Sequence, residues 1–99
     1  MTNDKVIYHL IPKKDWRDVE SKYRPDSLER DGFIHFCEED QIGTVLEFEE
    51  ESRENLAVLV VNKTEVEEDL KYENDFPHLY RELRKQEVRE VKSASDFTQ

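Results

Sequence analysis

Short runs of apolar residues divide the chain into strand-like segments separated by charged ones. Four such runs, rich in β-branched and aromatic side chains, predict strands over residues 6–10, 32–37, 56–61 and 88–91. A briefer strand is predicted over residues 71–73. Residues 56–61 are six consecutive apolar side chains without polar alternation. Because such a strand must be covered on both faces, we expect it at the centre of a sheet.

Between these runs, other segments have the spacing of short helices. Trp16, Val19 and Tyr23 fall at positions i, i+3 and i+7 after Asp15, a plausible N-cap, and Pro25 would end that helix. The other segments for which a short turn or helix is predicted are residues 27–28, 38–46 and 64–70. Strands and short helices in one short chain predict a domain of mixed α and β structure.

Two segments are expected to lack regular structure. Residues 76–80 carry several large side chains but are interrupted by Pro77, which predicts a loop. The tail from about Ser93 is expected to be frayed. Because no repeat or linker interrupts the pattern, we interpret residues 1–99 as a single domain.

Composition and charge narrow the classes of function. The 99 residues are 35% hydrophobic and 40% charged, with a formal net charge of -10. Nucleic-acid binding is disfavoured, because it needs a basic surface and the longest basic cluster is Lys13-Lys14 with Arg17 nearby. The longest apolar run is far too short to span a membrane. A single cysteine, Cys37, and a start without the apolar core of a signal peptide predict a cytoplasmic protein.

Histidines supply the first candidates for a functional site. His9 and His35 each lie within a predicted strand, and if those strands are neighbours both imidazoles could line one cleft. His78 lies in the predicted loop and could cap that cleft. The alternative is structural, with each imidazole half buried and bonded to a backbone carbonyl. The histidines lack metal-ligand spacing, so no metal site is expected.

Other catalytic chemistries have weaker support. Cys37 has no surrounding nucleophile motif, and a lone strand cysteine is usually a small core residue. Gly32 and Gly43 are the only glycines, which excludes the glycine-rich loops of P-loop and Rossmann proteins. Glu73 is a candidate carboxylate, one among 25 acidic residues.

Several of these segments together resemble a known family. The residues that carry the resemblance are Ile7-Tyr8-His9, Trp16, Tyr23-Arg24-Pro25-Asp26-Ser27-Leu28, Gly32-Phe33-Ile34-His35, Gln41, Tyr72-Glu73 and Phe76-Pro77-His78-Leu79-Tyr80. In this order they are similar to the DUF952 family of uncharacterised bacterial proteins, over nearly the whole chain up to about Val91. One departure is Phe36-Cys37, which stands where that family usually has Cys-Ser.

The resemblance implies an α+β fold like that of the ADP-ribosyltransferases, in which a small split β-sheet with flanking helices surrounds a cleft that binds NAD. It implies that His9 would hold a ribose, that His35 would hold the leaving group or its phosphate, and that Glu73 would stabilise an oxocarbenium-like ribose. Arg24 would pair with the pyrophosphate. The remaining residues expected to bind the cofactor are Ser27, His78 and Tyr80.

Three hypotheses about function remain open at this point. The first is a small domain that binds NAD or a related nucleotide and transfers ADP-ribose. The second is a non-catalytic ligand-binding or protein-interaction module on the same fold. The third, ranked last, is a hydrolase that uses Cys37. Whether basic side chains converge on the histidine cleft would separate the first hypothesis from the second, because pyrophosphate needs cationic partners.

Overall fold

The computed structural model describes residues 6–97, which form nine strands and four short α-helices. The strands are β1 (Val6–Pro12), β2 (Lys22–Tyr23), β3 (Ile34–His35), β4 (Cys37–Glu38), β5 (Leu56–Asn62), β6 (Leu70–Glu73), β7 (Phe76–Leu79), β8 (Leu83–Arg84) and β9 (Val88–Ser93). The helices are α1 (Lys13–Arg17), α2 (Asp26–Asp31), α3 (Ile42–Glu47) and α4 (Lys63–Val66). Short 3₁₀ turns cover Arg53–Asn55, Glu67–Asp69, Lys85–Glu87 and Ala94–Phe97.

A four-stranded sheet in the order β4-β1-β5-β9 forms the centre of the structure. Every strand in it runs antiparallel to its neighbours. In β5 the residues from Leu56 to Val61 are all buried, and β1 and β9 flank the strand on its two edges. The central strand expected from six unbroken apolar residues is therefore confirmed.

The core lies on both faces of this sheet. On one face, Ile7, Ile11 and Leu59 pack against Ile34 and Leu79 from a second sheet, whose order is β3-β7-β6. A two-stranded pair, β2 and β8, adjoins this side through Leu83. The opposite face packs against α3 and the last 3₁₀ turn, and its buried members are Tyr8, Cys37, Ile42, Leu46, Leu56, Val58, Val60 and Ala94. The fold is thus α+β, with its β-structure split into several small antiparallel sheets.

The first helix is shorter than its apolar spacing predicted. It ends at Arg17, and the amides of Asp18 and Val19 bond to carbonyls three residues back, which tightens the last turn. Tyr23 belongs to β2 and pairs with Leu83. Its ring still meets that of Trp16 edge-on at 6.5 Å. The expected contact is correct, but a strand and a helix supply it instead of one helix.

The run at residues 32–37 is not one strand. Ile34–His35 pairs with β7, whereas Cys37–Glu38 pairs with β1, so the chain changes sheets at Phe36. Ile34 and Phe36 join the core on one face and Cys37 joins it on the other. A single strand covered on both faces, such as β5, could bury the same residues, so the change of sheet reflects the different pairing partners, β7 and β1, and not burial alone.

Residues 76–79, expected to be a loop, form the central strand of the three-stranded sheet. Pro77 is tolerated there because of its register. Glu73 and Phe76 close the β6–β7 turn, and Tyr72 faces Pro77 one pair further on. At that position an antiparallel ladder needs no N–H between the two strands. The Pro77 carbonyl accepts a bond from the Phe36 amide at 3.0 Å.

The tail is ordered further than expected. Strand β9 reaches Ser93, Ala94 is fully buried, and the Phe97 ring packs edge-on against Tyr8 at 5.4 Å. The fraying predicted from Ser93 is therefore wrong up to Phe97, because an apolar ring at the end of the turn covers the core. Residues 98–99 lie outside the described part of the chain. No helix within residues 6–97 is long and apolar enough to cross a membrane.

Candidate functional site

A cavity of about 580 Å³ opens where the β-structure splits. Strand β1 has β4 as its partner at Ile7 and Tyr8 only, so its edge at His9 and Leu10 has no paired strand among the described residues. The cavity, which we call the histidine cleft, is lined by Tyr8, His9, Leu10, His35, Phe36, Cys37, Val45, Glu49, Glu73, Asn74, Phe76 and His78. It therefore brings together all three histidines and Glu73.

His9 forms the inner wall of the cleft and is engaged at both ring nitrogens. Its Nδ1 lies 2.6 Å from the backbone oxygen of His35, and its Nε2 lies 2.7 Å from the Tyr23 hydroxyl. A carbonyl only accepts, so Nδ1 carries the proton and Nε2 accepts from Tyr23. Burial lowers the pKa of His9 to about 4, so the ring is neutral at pH 7.

This arrangement differs from the expectation that both strand histidines stay open to a ligand. His9 is only 9% exposed, and both of its ring nitrogens form hydrogen bonds within the protein. Its strand is not hydrogen-bonded to β3 either; the His9 side chain makes that link instead. The shared cleft is confirmed, while His9 holds the backbone of His35 in place.

His35 is the accessible imidazole of the site. Its side chain is 54% exposed, and its Nε2 lies 3.3 Å from Oδ2 of Asp31, one helical turn earlier. Asp31 also bonds Arg30, and hydrogen bonds from His35 and Arg30 hold the pKa of its carboxyl below the ordinary value. His35 can therefore contact a ligand in the cleft while its Nε2 stays beside the Asp31 carboxylate.

The hairpin of β6 and β7 supplies the other wall through Glu73 and His78. His78 Nδ1 lies 3.6 Å from Glu73 Oε1, which is too long for a hydrogen bond. That nitrogen is buried and has no hydrogen-bond partner among residues 6–97. Burial, and then the proximity of His35, lowers the pKa of His78. The Tyr80 hydroxyl donates to Glu73 Oε2 at 3.0 Å and orients the carboxylate.

Phe33 joins these side chains and was not singled out as a site residue from the sequence. Its ring stacks on His78 with centroids 4.0 Å apart and an interplanar angle of 7°. It also lies 4.7 Å from the ring of His35 and 5.3 Å from that of Tyr80. The signal available in the sequence was strand parity, since Phe33 and His35 are two residues apart.

Three expected ligand-binding residues, Arg24, Ser27 and Tyr80, do not line the cleft. Arg24 donates to Glu82 at 3.1 Å and lines a separate hollow beside Tyr23. Ser27 lies on α2 and lines neither of these cavities. Tyr80 reaches the cleft only through Glu73. Among residues 6–97, no lysine or arginine lines the histidine cleft, and its acidic groups are Glu49 and Glu73.

Cys37 lines the cleft but is poorly suited to thiol catalysis. It is buried, and burial raises the pKa of its thiol to about 12. Thiolate is the reactive form, so almost none is present at neutral pH. Within the described residues, no group of three or more His, Cys, Asp or Glu side chains is arranged to hold a metal ion.

Comparisons with known proteins identify the family. Residues 10–91 match the family model described as "Protein of unknown function (DUF952)". The crystal structure of protein CC0527 from Caulobacter crescentus is similar, with a TM-score of 0.76 and 29% identity over 89% of this chain and 84% of that one. The solution NMR structure of CC0527 gives a TM-score of 0.74 and 28% identity over 89% and 83% of the two chains. No curated protein matches. Because the family model covers most of the sequence, the chain belongs to the DUF952 family.

Proposed function

We propose that the histidine cleft binds NAD or a related nucleotide through its nicotinamide riboside half, and that it can transfer ADP-ribose. The observation that carries this proposal is the Glu73 carboxylate, oriented by Tyr80 in the same cavity as His35 and His78. A fixed carboxylate beside a ribose would stabilise the positive charge that develops at C1′ as nicotinamide leaves. An ADP-ribosyltransferase-like ancestry of the fold is part of this proposal.

The reaction needs no redox partner. The bond between C1′ and the nicotinamide nitrogen breaks, and its electron pair leaves with neutral nicotinamide. A lone pair of the acceptor forms the new bond at C1′, and the acceptor's proton passes to solvent. Water as the acceptor gives simple hydrolysis to ADP-ribose and nicotinamide.

Each cleft residue has a distinct role in this scheme. His35, the exposed imidazole, contacts the ligand directly. His9 is a positioning residue, because both its nitrogens bond within the protein and one of them holds the His35 carbonyl. Glu73 faces the ribose. The pyrophosphate lies toward the mouth, since the described lining offers it no lysine or arginine. Arg24 is not assigned to it because Arg24 pairs with Glu82 elsewhere.

Titration calorimetry with NAD and ADP-ribose, combined with chromatography of released nicotinamide, tests the proposal. His35→Ala should weaken NAD binding roughly ten- to a hundredfold, the effect of losing one hydrogen bond to a charged ligand at about 1.5–3 kcal/mol. Glu73→Gln should abolish nicotinamide release. Arg24→Ala, outside the cleft, is the matched control and should leave affinity unchanged. Failure of the wild-type protein to bind NAD at millimolar concentration would refute the proposal.

A second candidate function is a non-catalytic binding or interaction module. The lack of lysine and arginine along the described cleft lining favours it, because a pyrophosphate binder normally presents such groups. This candidate predicts binding of a nucleoside-sized ligand without release of nicotinamide. The same chromatographic assay separates the two: bound NAD that stays intact over hours supports the module, whereas turnover that depends on Glu73 supports the transferase.

A further inference from the structure

We infer that the histidine cleft selects organic cations, and specifically a flat, positively charged nitrogen heterocycle. The inference rests on the proposed function only in placing the ligand in this cavity. It requires no catalysis, and it would hold equally for a binding module.

The charge of the lining carries the first step. Glu49 and Glu73 contribute negative charge, and no lysine or arginine among the described residues lines the cavity. His9 is neutral at pH 7, and burial also disfavours the charged form of His78. His35 is paired with Asp31. At neutral pH the cavity therefore carries a net negative charge, which attracts cations and repels anions.

The walls strengthen this preference. Apolar side chains form much of the floor, including Leu10, Phe36 and Val45. The Glu73 side chain is 52% exposed, so the apolar walls reduce the screening of its carboxylate only in part. A cavity of about 580 Å³ can accommodate a single ring with its substituents.

Aromatic rings provide the second attraction. Phe76 lines the cleft and is 36% exposed, so its ring is available to a ligand. A cation over an aromatic face gains about 0.5–2 kcal/mol, more as water is excluded. Lys71 Nζ lies 5.6 Å from the centre of the Tyr80 ring, but Lys71 does not line the cleft. A ligand, rather than a protein side chain, would supply the cation.

Glu73 is the group that fixes the position of the ligand's positive charge. Tyr80 holds one carboxylate oxygen at 3.0 Å, while the other lies near His78 at 3.6 Å without a hydrogen bond. A carboxylate held in one orientation loses less entropy on binding than a free one. The positive ring nitrogen is therefore expected beside Glu73.

The test compares three ligands that share one ring and differ in charge. They are 1-methylnicotinamide, a cation; nicotinamide, which is neutral; and nicotinate, an anion in which a carboxylate replaces the carboxamide. Titrations followed by NMR chemical shifts should give affinity for the cation roughly tenfold above that for nicotinamide, with nicotinate the weakest. Tenfold corresponds to about 1.4 kcal/mol, within the range of a cation–π contact plus a charge pair.

Two glutamate variants locate the effect. Glu73→Gln should remove most of the preference for the cation over nicotinamide. Glu38→Gln makes the same change of charge on a carboxylate that accepts from Tyr72 and does not line the cleft, so the preference should persist. Should Glu73→Gln fail to fold, Glu49→Gln replaces it, because Glu49 is an exposed member of the lining.

The outcomes separate this inference from the proposed function. Equal affinity for 1-methylnicotinamide and nicotinamide overturns the inference, even if NAD binds. Binding of the cation with no binding of NAD overturns the proposed function and leaves the inference standing. A preference that Glu38→Gln removes and Glu73→Gln preserves would also overturn the inference, because the charge would then act from outside the cleft.

Discussion

His9 acts as a bridge between strands that are not hydrogen-bonded to each other. Its Nδ1 proton goes to the His35 carbonyl, and its Nε2 accepts from Tyr23. The ring also packs against Phe36 at 5.4 Å. A buried imidazole with both nitrogens satisfied costs little to bury as long as it stays neutral. The same ring becomes destabilising once protonated, because burial deprives the charged form of solvation by water.

His9 is therefore expected to make stability depend on pH. Its folded pKa of about 4 lies below the ordinary value of 6.5, so its contribution is complete above about pH 6.5 and is lost as pH falls toward 4. Between pH 7 and pH 5 the loss is about 2 kcal/mol. Urea unfolding of wild type and His9→Gln at both pH values measures it. His9→Gln should be less stable than wild type at pH 7, but its free energy of unfolding should fall by about 2 kcal/mol less between pH 7 and pH 5. An equal fall in both proteins would contradict the low pKa of His9.

At the scale of elements, the β6–β7 hairpin supplies one wall of the cleft, including Glu73 and His78. Asn74 and Asp75 have φ values of 54° and 71°, the left-handed pair that a two-residue type I′ turn requires. Gln41 ties this turn to β4: its Oε1 accepts from the Glu38 amide at 2.7 Å, and its Nε2 donates to the Asp75 carbonyl at 2.8 Å. The hairpin is thus held at its turn by Gln41 and along β7 by the pairing with β3.

The turn gives a prediction about stability. Asp75→Gly should raise the free energy of unfolding by about 0.5 kcal/mol, since glycine adopts positive φ without steric cost and Asn-Gly is the preferred pair for this turn. Asp75→Ala removes the same charge but keeps the steric cost of a Cβ at positive φ, and it should lower the free energy of unfolding by about 1 kcal/mol. Both variants preserve the carbonyl that Gln41 binds. Urea unfolding of the two variants would contradict this prediction if alanine were as stable as glycine.

At the scale of the whole molecule, repulsion among the negative charges lowers the stability that the small core provides. The chain has a net charge of -10, and the described residues have a radius of gyration of 12.8 Å. Charges of one sign on so small a surface repel one another, and that repulsion is relieved by salt. The ion pairs of Arg81 with Asp69 and Glu87, at 2.8 and 2.9 Å, offset part of it locally.

Added salt is therefore expected to stabilise the protein. The Tm should rise by a few degrees between about 10 mM and 300 mM NaCl, because the Debye length shortens from about 30 Å to less than 10 Å. For a domain of this size, about 1 kcal/mol corresponds to roughly 4–8 °C. Calorimetry in NaCl and in KCl should give the same rise if screening is the cause. A Tm that falls with salt would mean that attractive ion pairs dominate instead.

Local pattern was sufficient for several features. Six apolar residues from Leu56 to Val61 could only be a strand covered on both faces, and the spacing of Ile42 and Leu46 placed both on the buried side of α3. These outcomes follow from side-chain periodicity and hydrophobic burial, which the sequence alone determines.

Tertiary structure decided the rest, because those features depend on partners distant in the chain. Pro77 fits in a central strand because its register with Tyr72 needs no N–H and because β3, on its other side, ends at His35. The chain changes sheets at Phe36 because residues 34–35 pair with β7, whereas residues 37–38 pair with β1. Arg24 pairs with Glu82, 58 residues away, and so leaves the cleft without its cation. The sequence by itself determined the buried central strand and the apolar side of α3, because both follow from local periodicity. Long-range pairing decided the sheet change at Phe36, the strand at residues 76–79, the way the histidines meet and which polar groups remain free for a ligand.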